Sequence, residues 1–449
     1  MKKHILVIGG GISGLTVLHE LKKRYRDRDD VDIRVLEMND IPGGTIQSRQ
    51  TAISLFETGP SGFLTGYPQT VQLIDELGLR DEVVEAHPSA RRRYVAVAGR
   101  LHALPLSPLE LFSFEPLSLV DKLRLLMEIR RQPRLDHDET VREFGERRFG
   151  RRFTEVILDP VVSGIYAGDI DRLSVRSAFP RIYAHEQDAG SVIRGFIREK
   201  RRSKEKTQFL SFRHGMAEAV RAIARRYRDH VRTGEEAIHI GAQQGRYVVS
   251  TGRAEYPAHQ LFVCAPAHVA CGLLRGIAPG LADCLGQIPY APVAVIGLVF
   301  DKKQVPDRPE GFGFLIPSGE RREVLGVLFE DQIFPGRAAA DQALFRVMIG
   351  GARHPESVLR PLDELTQLAL DQLKMAMRIE GPARETHHAV WPKAIPQYEV
   401  RHPHLLRSIR TECERAPNLH LSGNYLEGVS FNDCIRHAAR AVGTAAPVV

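Results

Sequence analysis

The chain has 449 residues, too many for one small core, so two or more packed units are expected. Hydrophobic residues make up 43% and charged residues 26%, a globular balance that excludes disordered, collagenous and repeat architectures. The formal charge of +7 comes with no helix-turn-helix, zinc-finger or RNA-binding signature, so no nucleic-acid partner is expected; the basic clusters Arg91-Arg92-Arg93, Arg147-Arg148, Arg151-Arg152 and residues 200–206 fit an acidic small molecule, an anionic membrane surface or solvated helix faces.

The N-terminus imitates a signal peptide, with two lysines before an apolar stretch, but the stretch is short and three glycines interrupt it. Ile5-Leu6-Val7-Ile8 is a continuous apolar run suited to a buried parallel strand. Gly9-Gly10-Gly11-Ile12-Ser13-Gly14 follows, then a helical stretch to about Tyr25. This is G-x-G-x-x-G in a strand–turn–helix context, where the first glycine makes the turn, the second lets backbone approach a pyrophosphate and the third lets helix and strand pack. A second strand at 32–36 ends in Glu37, 23 residues after Gly14, where a carboxylate accepts ribose hydroxyls and disfavours a 2′-phosphate. Next come Gly43-Gly44-Thr45 and Glu57-Thr58-Gly59-Pro60-Ser61-Gly62, which resemble the second flavin motif and following turn of amine-oxidase-like flavoproteins.

Further along, Arg93 opens the strand Tyr94-Val95-Ala96-Val97. Residues 117–131 and 138–149 read as helices, the second with Asp138 as N-cap and Glu139 in its first turn. Residues 215–226 read as an amphipathic helix with Ala217, Val220, Ile223 and Ala224 on one face, and 293–300 as a buried strand. The five cysteines form no C-x-x-C pair, which suits a reducing cytoplasm, and no H-x-x-x-H or H-E-x-x-H spacing occurs, so no metal is expected. No apolar run of about 20 residues predicts a spanning helix.

The segments Ser163-Gly164-Ile165-Tyr166-Ala167-Gly168-Asp169, Ile395-Pro396-Gln397-Tyr398 and Gly428-Val429-Ser430-Phe431-Asn432-Asp433-Cys434-Ile435 narrow the family. With the N-terminal motifs they make the chain, from Lys3 to about Gly443, resemble the oxygen-dependent protoporphyrinogen and coproporphyrinogen oxidases, FAD-containing members of the amine-oxidase-like superfamily. The resemblance implies an α/β fold: a Rossmann-like FAD-binding domain from 1–85, 204–278 and 399–449, a mixed-sheet substrate domain from 86–93 and 279–398, and a helical, membrane-facing domain at 94–203. It implies FAD contacts at Gly9, Gly10, Gly11, Ile12, Ser13, Gly14, Glu37, Gly44, Thr45, Gly59, Pro60, Ser61, Gly62, Ala237, Trp391, Val429, Ser430 and Phe431. Thr45 departs from the basic or aromatic residue often found there, so only its backbone is assigned.

By the same resemblance a porphyrinogen loses hydride to the flavin and O2 is the acceptor. Gly164 and Met348 line the catalytic face, Phe312 and Leu315 clamp the rings, and Arg93 pairs with a propionate. A buried carboxylate needs such a cation on physical grounds. Protoporphyrinogen is the favoured substrate and coproporphyrinogen the rival, while an amine oxidase, a carotenoid desaturase and a non-catalytic flavin scaffold are more distant readings. Cytoplasmic placement, peripheral contact with the inner face of the cell membrane, handover to a ferrochelatase, and a monomeric or homodimeric state are further expectations.

Overall fold

The computed structural model describes residues 2–134, 136–202 and 207–448; positions 203–206 of the basic cluster at 200–206, and the expected domain boundary there, lie outside the described residues. The strand Lys3–Ile8 forms the centre of a five-stranded parallel sheet. It pairs on one side with Val31–Glu37 and on the other with Gln260–Val263, and Val231–Thr233 and Leu419–Leu421 close the two edges. A parallel strand buried on both faces gains nothing from alternation, which is why Ile5-Leu6-Val7-Ile8 is apolar throughout. Ile5 and Val7 face the helices Ile12–Arg24 and Phe431–Thr444 through Val17, Leu18, Leu21, Ala438 and Val442. Leu6 and Ile8 face the opposite side, packed with Ile240 and Val249 of a three-stranded antiparallel sheet.

The second large sheet has seven strands among the described residues. Its order is Glu385–Pro396, Tyr290–Asp301, Gln342–Gly350, Val324–Phe329, Gly313–Leu315, Tyr94–Val97 and Arg100–Ala103. The strand expected at 293–300 is longer, Tyr290–Asp301, because it is paired along both edges. Tyr94–Val97 and Arg100–Ala103 were expected with the helical region from residue 94; they are hydrogen-bonded to this sheet instead, through Phe314 and Leu315 opposite Tyr94 and Val95. The helical region therefore starts beyond Ala103.

That region departs from the sequence expectation in three places. The stretch at 117–131 is the helix Leu119–Leu126 followed by a tighter turn, Met127–Arg130. The second helix starts at Val141, not 138, with Thr140 as N-cap. Thr140 and Glu143 form a reciprocal capping box that satisfies two orphan amides at once, which outcompetes a single cap from Asp138. Asp138 instead accepts from Ser174 Oγ at 2.6 Å, and Glu139 is buried against Arg147. Third, Arg147-Arg148 is no solvated face. Arg148 is wholly buried, paired with Glu128 and donating to the carbonyls of Arg131 (3.1 Å) and Gly190 (3.0 Å), and Arg147 binds both Glu139 and Glu186. Elsewhere, Ala217–Arg226 buries Ala217, Val220 and Ile223 as expected, with Ala224 only half-buried. No helix among the described residues is long and apolar enough to cross a membrane.

Candidate active site

The turn after the first strand is built by backbone contact. A Cβ at Gly14 would lie 1.9 Å from the Gly9 carbonyl oxygen, so only glycine lets the helix sit on the strand end. Gly9, at φ 103, backs onto Cys264 at the end of the neighbouring strand. A Cβ at Gly11 would meet nothing within 4 Å, so the face of that residue opens onto free space. The helix that follows has no side-chain cap and no acidic residue in its first turn, which leaves its amides for an anion. Ile12 and Ser13 are buried, Ile12 within the core behind the turn.

Glu37 is buried beside this turn. One of its oxygens accepts from Gly10 N at 2.7 Å, and the other from Asn39 N (2.9 Å) and Asn39 Nδ2 (2.6 Å). A carboxylate offers about four acceptor positions, so three are used and about one stays open for a ribose hydroxyl. Gly43 N bonds the Gly10 carbonyl at 2.8 Å, bringing Gly44 and Thr45 over the same turn. Ala237 reaches the site through the chain before it, where Gly234 N and Glu235 N bond the carbonyls of Asn39 (3.1 Å) and Glu37 (2.9 Å). Ser430 is occupied as the N-cap of Phe431–Thr444, in a capping box with Asp433, so its side chain serves the helix and only backbone is free. Phe431 packs into the core with Ile12 and Ile46, and Val429 lies against the helical region.

The turn at 58–62 sits between the two large sheets. The Thr58 carbonyl accepts from Trp391 Nε1 at 3.0 Å, so the sole tryptophan holds this turn from the seven-stranded sheet. A Cβ at Gly59 would lie 2.4 Å from the Thr45 carbonyl, and one at Gly62 2.4 Å from that of Leu210, which explains both glycines; Pro60 and Ser61 complete the turn. Missed by sequence reasoning are Arg346, Glu330 and Arg337, which converge here from the seven-stranded sheet and the segment before it. A signal existed: Arg346 is a lone charge inside the apolar run Leu344-Phe345-Arg346-Val347.

The substrate-side residues fall into two linked groups. Gly164, on the helix Asp159–Tyr166, packs on Leu315: a Cβ there would be 2.8 Å from Leu315 Cδ2. The same Leu315 methyl would lie 2.8 Å from a Cβ at Gly326, whose cross-strand partner is Met348, and Met348 shares an apolar cluster with Trp391, Ala167 and Leu325. Gly164, Leu315, Met348 and Trp391 are therefore brought together. Phe312 stands apart, against Phe209 with ring centres 5.8 Å apart and in a cluster with Ala90 and Phe334. Over its other face lies Arg93, the guanidinium carbon 4.6 Å from the ring centre. Among the described residues Arg93 has no acidic partner; the residue is exposed to solvent, and the protein packed around its guanidinium lowers its pKa from the ordinary arginine value. Its neighbour Arg92 is engaged with Glu110 at 3.5 Å.

Residues 12–445 match the family described as flavin containing amine oxidoreductase. The chain belongs to that family. It is an oxidoreductase, and its cofactor is FAD. Protoporphyrinogen oxidase 1, chloroplastic, of Arabidopsis thaliana is 30% identical over 466 residues, covering 96% of this chain and 86% of the relative. Coproporphyrinogen III oxidase of Bacillus subtilis (strain 168) is 28% identical over 464 residues, covering 99% and 98%. A solved structure of a candidate protoporphyrinogen oxidase from Exiguobacterium sp. 255-15 superposes with a TM-score of 0.85 at 23% identity, covering 99% of this chain and 98% of that one, which fixes the fold. FAD fits the cradle described above: open space at Gly11, an uncapped helix start and a spare acceptor on Glu37 match a pyrophosphate and a ribose. The described residues also hold one cluster of metal-ligand type, His19, Glu20 and Glu76, but Lys23 sits in it, 2.8 Å from Glu76 and 3.2 Å from Glu20, where a cation would go.

Proposed function

We propose that this chain oxidises protoporphyrinogen IX to protoporphyrin IX, six electrons passing through FAD to three O2 with release of three H2O2. The observation that carries the reading is Arg93, a solvent-accessible guanidinium stacked on Phe312 with no acid beside it among the described residues. A propionate supplies the missing anion, and the guanidinium fork grips it with two parallel hydrogen bonds.

FAD, held by Gly9 to Gly14, Glu37, Gly44, Thr45, residues 59–62, Ala237, Trp391 and the start of the last helix, supplies the two-electron acceptor for each step. The chain's own work is binding, orientation and exclusion of water. Gly164 lacks a side chain because Leu315 fills that position, so the helix backbone and the Leu315 and Met348 side chains form one apolar wall for a flat macrocycle. Phe312 extends the apolar wall toward Arg93. No acid–base pair is assigned, and pyrrole N–H protons leave to solvent. The organisation into an FAD part, a substrate part and a helical part belongs to this reading, as do cytoplasmic placement and handover of product to a ferrochelatase.

Membrane contact is part of the proposal, on different residues from the basic ones expected. Leu109, Phe112, Leu119, Val120, Leu123 and Met127 are all exposed, Leu109 at 83%. Singly exposed apolar residues are ordinary; this many within 20 residues suit an apolar phase. The triple variant Leu109→Ser/Val120→Ser/Leu123→Ser should lose vesicle binding that moderate salt leaves in place. Loss in salt alone would return the contact to the arginines.

The decisive test is anaerobic mixing with each porphyrinogen. Protoporphyrinogen should bleach the flavin and O2 restore it. Faster bleaching by coproporphyrinogen would transfer the assignment to the rival, named for the Bacillus subtilis relative, and no bleaching by either would end the reading. Arg93→Ala should raise KM strongly with FAD retained, whereas Arg91→Ala and Arg92→Ala should not. Equal small effects in all three would make Arg93 a surface charge.

A further inference from the structure

The turn that carries Gly59 and Gly62 has its carbonyl groups fixed from outside. Trp391 donates to the Thr58 carbonyl at 3.0 Å, Arg346 Nη2 to that of Gly59, and Ser211 Oγ to that of Ser61 at 2.8 Å. A peptide unit is planar and trans, so fixing a carbonyl aims the following N–H in the opposite direction. Holding Thr58 and Ser61 therefore aims the amides of Gly59 and Gly62. The Gly59–Pro60 peptide has no N–H, and Arg346 takes its one polar group.

Arg346 is 6% exposed and Glu330 1%. Arg346 Nη1 donates to Ser61 Oγ at 2.5 Å and lies 3.3 Å from Glu330 Oε1, while Ser61 Oγ donates to Glu330 Oε1 at 2.6 Å. A second buried pair, Arg337 with Glu57 at 3.0 Å, braces the same turn through Ser211. The Arg346–Glu330 pair is not saturated: Arg346 Nε and Glu330 Oε2 are buried without partners among the described residues. A neutral donor would hold a carbonyl at less cost, since a buried ion pair is often no more stable than a well-packed apolar substitute. Arg148 in the helical region likewise has a buried Nε without a partner, so what sets Arg346 apart is the group it holds, the Gly59 carbonyl of a turn assigned to the cofactor.

We propose that Arg346 is a positioning residue for the flavin. From the seven-stranded sheet, two residues before Met348, it sets the turn at 59–62 that would hold FAD, and its charge, held in place by Glu330, would favour the electron-rich reduced form. This rests on the assignment of that turn to FAD and is independent of which molecule is oxidised.

The test compares the FAD-loaded wild type with Ser61→Ala, Arg346→Lys and the charge-neutral pair Arg346→Met/Glu330→Gln. Flavin absorption bands and midpoint potential are read without substrate, and porphyrinogen turnover afterwards. The double variant should keep FAD, shift the bands, move the potential negative and lower kcat about tenfold or more, a modest share of the roughly 100-fold that a displacement of about 1 Å can cost. Arg346→Lys should recover part of each change, and Ser61→Ala should produce a smaller shift of the same sign. Arg148→Met/Glu128→Gln, which removes a buried pair in the helical region, should lower Tm with bands and potential unchanged; equal shifts there would reduce the effect to general loosening. A double variant that folds and holds FAD with unchanged bands and potential overturns the proposal. If that variant does not fold, unchanged bands and potential in Ser61→Ala overturn it in the same way. A wild type that carries no FAD removes the cofactor assignment and the proposal with it, whereas flavin shifts without porphyrinogen turnover leave the proposal standing and sink the substrate reading.

Discussion

The nucleotide turn and the helical region treat polar groups in opposite ways. At the turn, the start of the helix after Gly11 leaves backbone amides uncommitted beside open space, and Glu37 keeps an acceptor position free. In the helical region the strong buried charges are turned on one another, although Arg148 Nε is left without a hydrogen bond: Glu128 alone accepts from Arg148, Ser191 and the Val192 amide. Backbone amides open to space in one place and buried charges turned on one another in the other distinguish a surface built for a ligand from one built for itself.

The sharpest way to break this contrast is at the glycines. Gly14→Val drives a side chain into the Gly9 carbonyl, and its flavin content should fall from about one per chain to none, with a large loss of stability, since overpacking alone costs about 1–3 kcal/mol. Gly11→Ala has room, so the cofactor-free protein should melt within a degree or two of wild type, a shift of well under 1 kcal/mol, while its affinity for FAD drops. Equal melting losses in both would mean that Gly11, too, is only structural. Absorbance at flavin wavelengths and calorimetry of the stripped protein read the two quantities separately.

The next effect belongs to the helical region. Arg148→Ala leaves Glu128 buried without its cation and should cost about 3–5 kcal/mol. Arg151 pairs with Glu155 at 2.8 Å but is 79% exposed, and Arg151→Ala should leave stability almost unchanged. Denaturant unfolding would show both, with flavin still bound in each folded variant. If the two losses were equal, the burial of Arg148 would be wrong.

That pair also shows what a sequence can and cannot disclose. Residues 5–14 and Glu37 were legible because the constraint is local: a turn that needs glycine at three positions, and an acid at the end of the next strand. Strand Tyr290–Asp301 was legible because it is buried on both faces. Arg147-Arg148 and Arg151-Arg152 look alike in sequence, yet one pair is paired in the interior and the other exposed or nearly so, since the partners Glu128, Glu139 and Glu186 come from as far as 39 residues away. The Thr140–Glu143 capping box was written in local sequence and overlooked in favour of Asp138. Arg346 stood out in sequence as a lone charge, but its role was hidden for a third reason: its targets, Gly59 and Ser61, lie more than 280 residues earlier, and only the meeting of two sheets joins them.

The smallest expected effect extends the comparison to titratable groups. The nucleotide half also buries histidines. His420, on the edge strand Leu419–Leu421, stacks on Phe262 with ring centres 4.7 Å apart and lies 3.1 Å from Gln260 Nε2. Burial, with Arg24 nearby, pushes its pKa down to about 4. The unfolded chain restores a value of about 6.5. Between those limits the unfolded state holds a proton that the folded state does not, so stability is complete above pH of about 6.5 and falls as the pH drops toward about 4, by up to about 1.4 kcal/mol per unit. The total is at most about 3 kcal/mol, less what solvent screening removes from a side chain that is not fully enclosed. His402 and His437 are also shifted down by burial, so His420→Gln should flatten only part of the acid slope. Tm measured from pH 7 to pH 4.5 should fall less in the variant than in wild type, and the two curves should meet above neutrality. Parallel curves across the whole range would mean that His420 is protonated in the folded protein and that the acid lability arises at the other histidines.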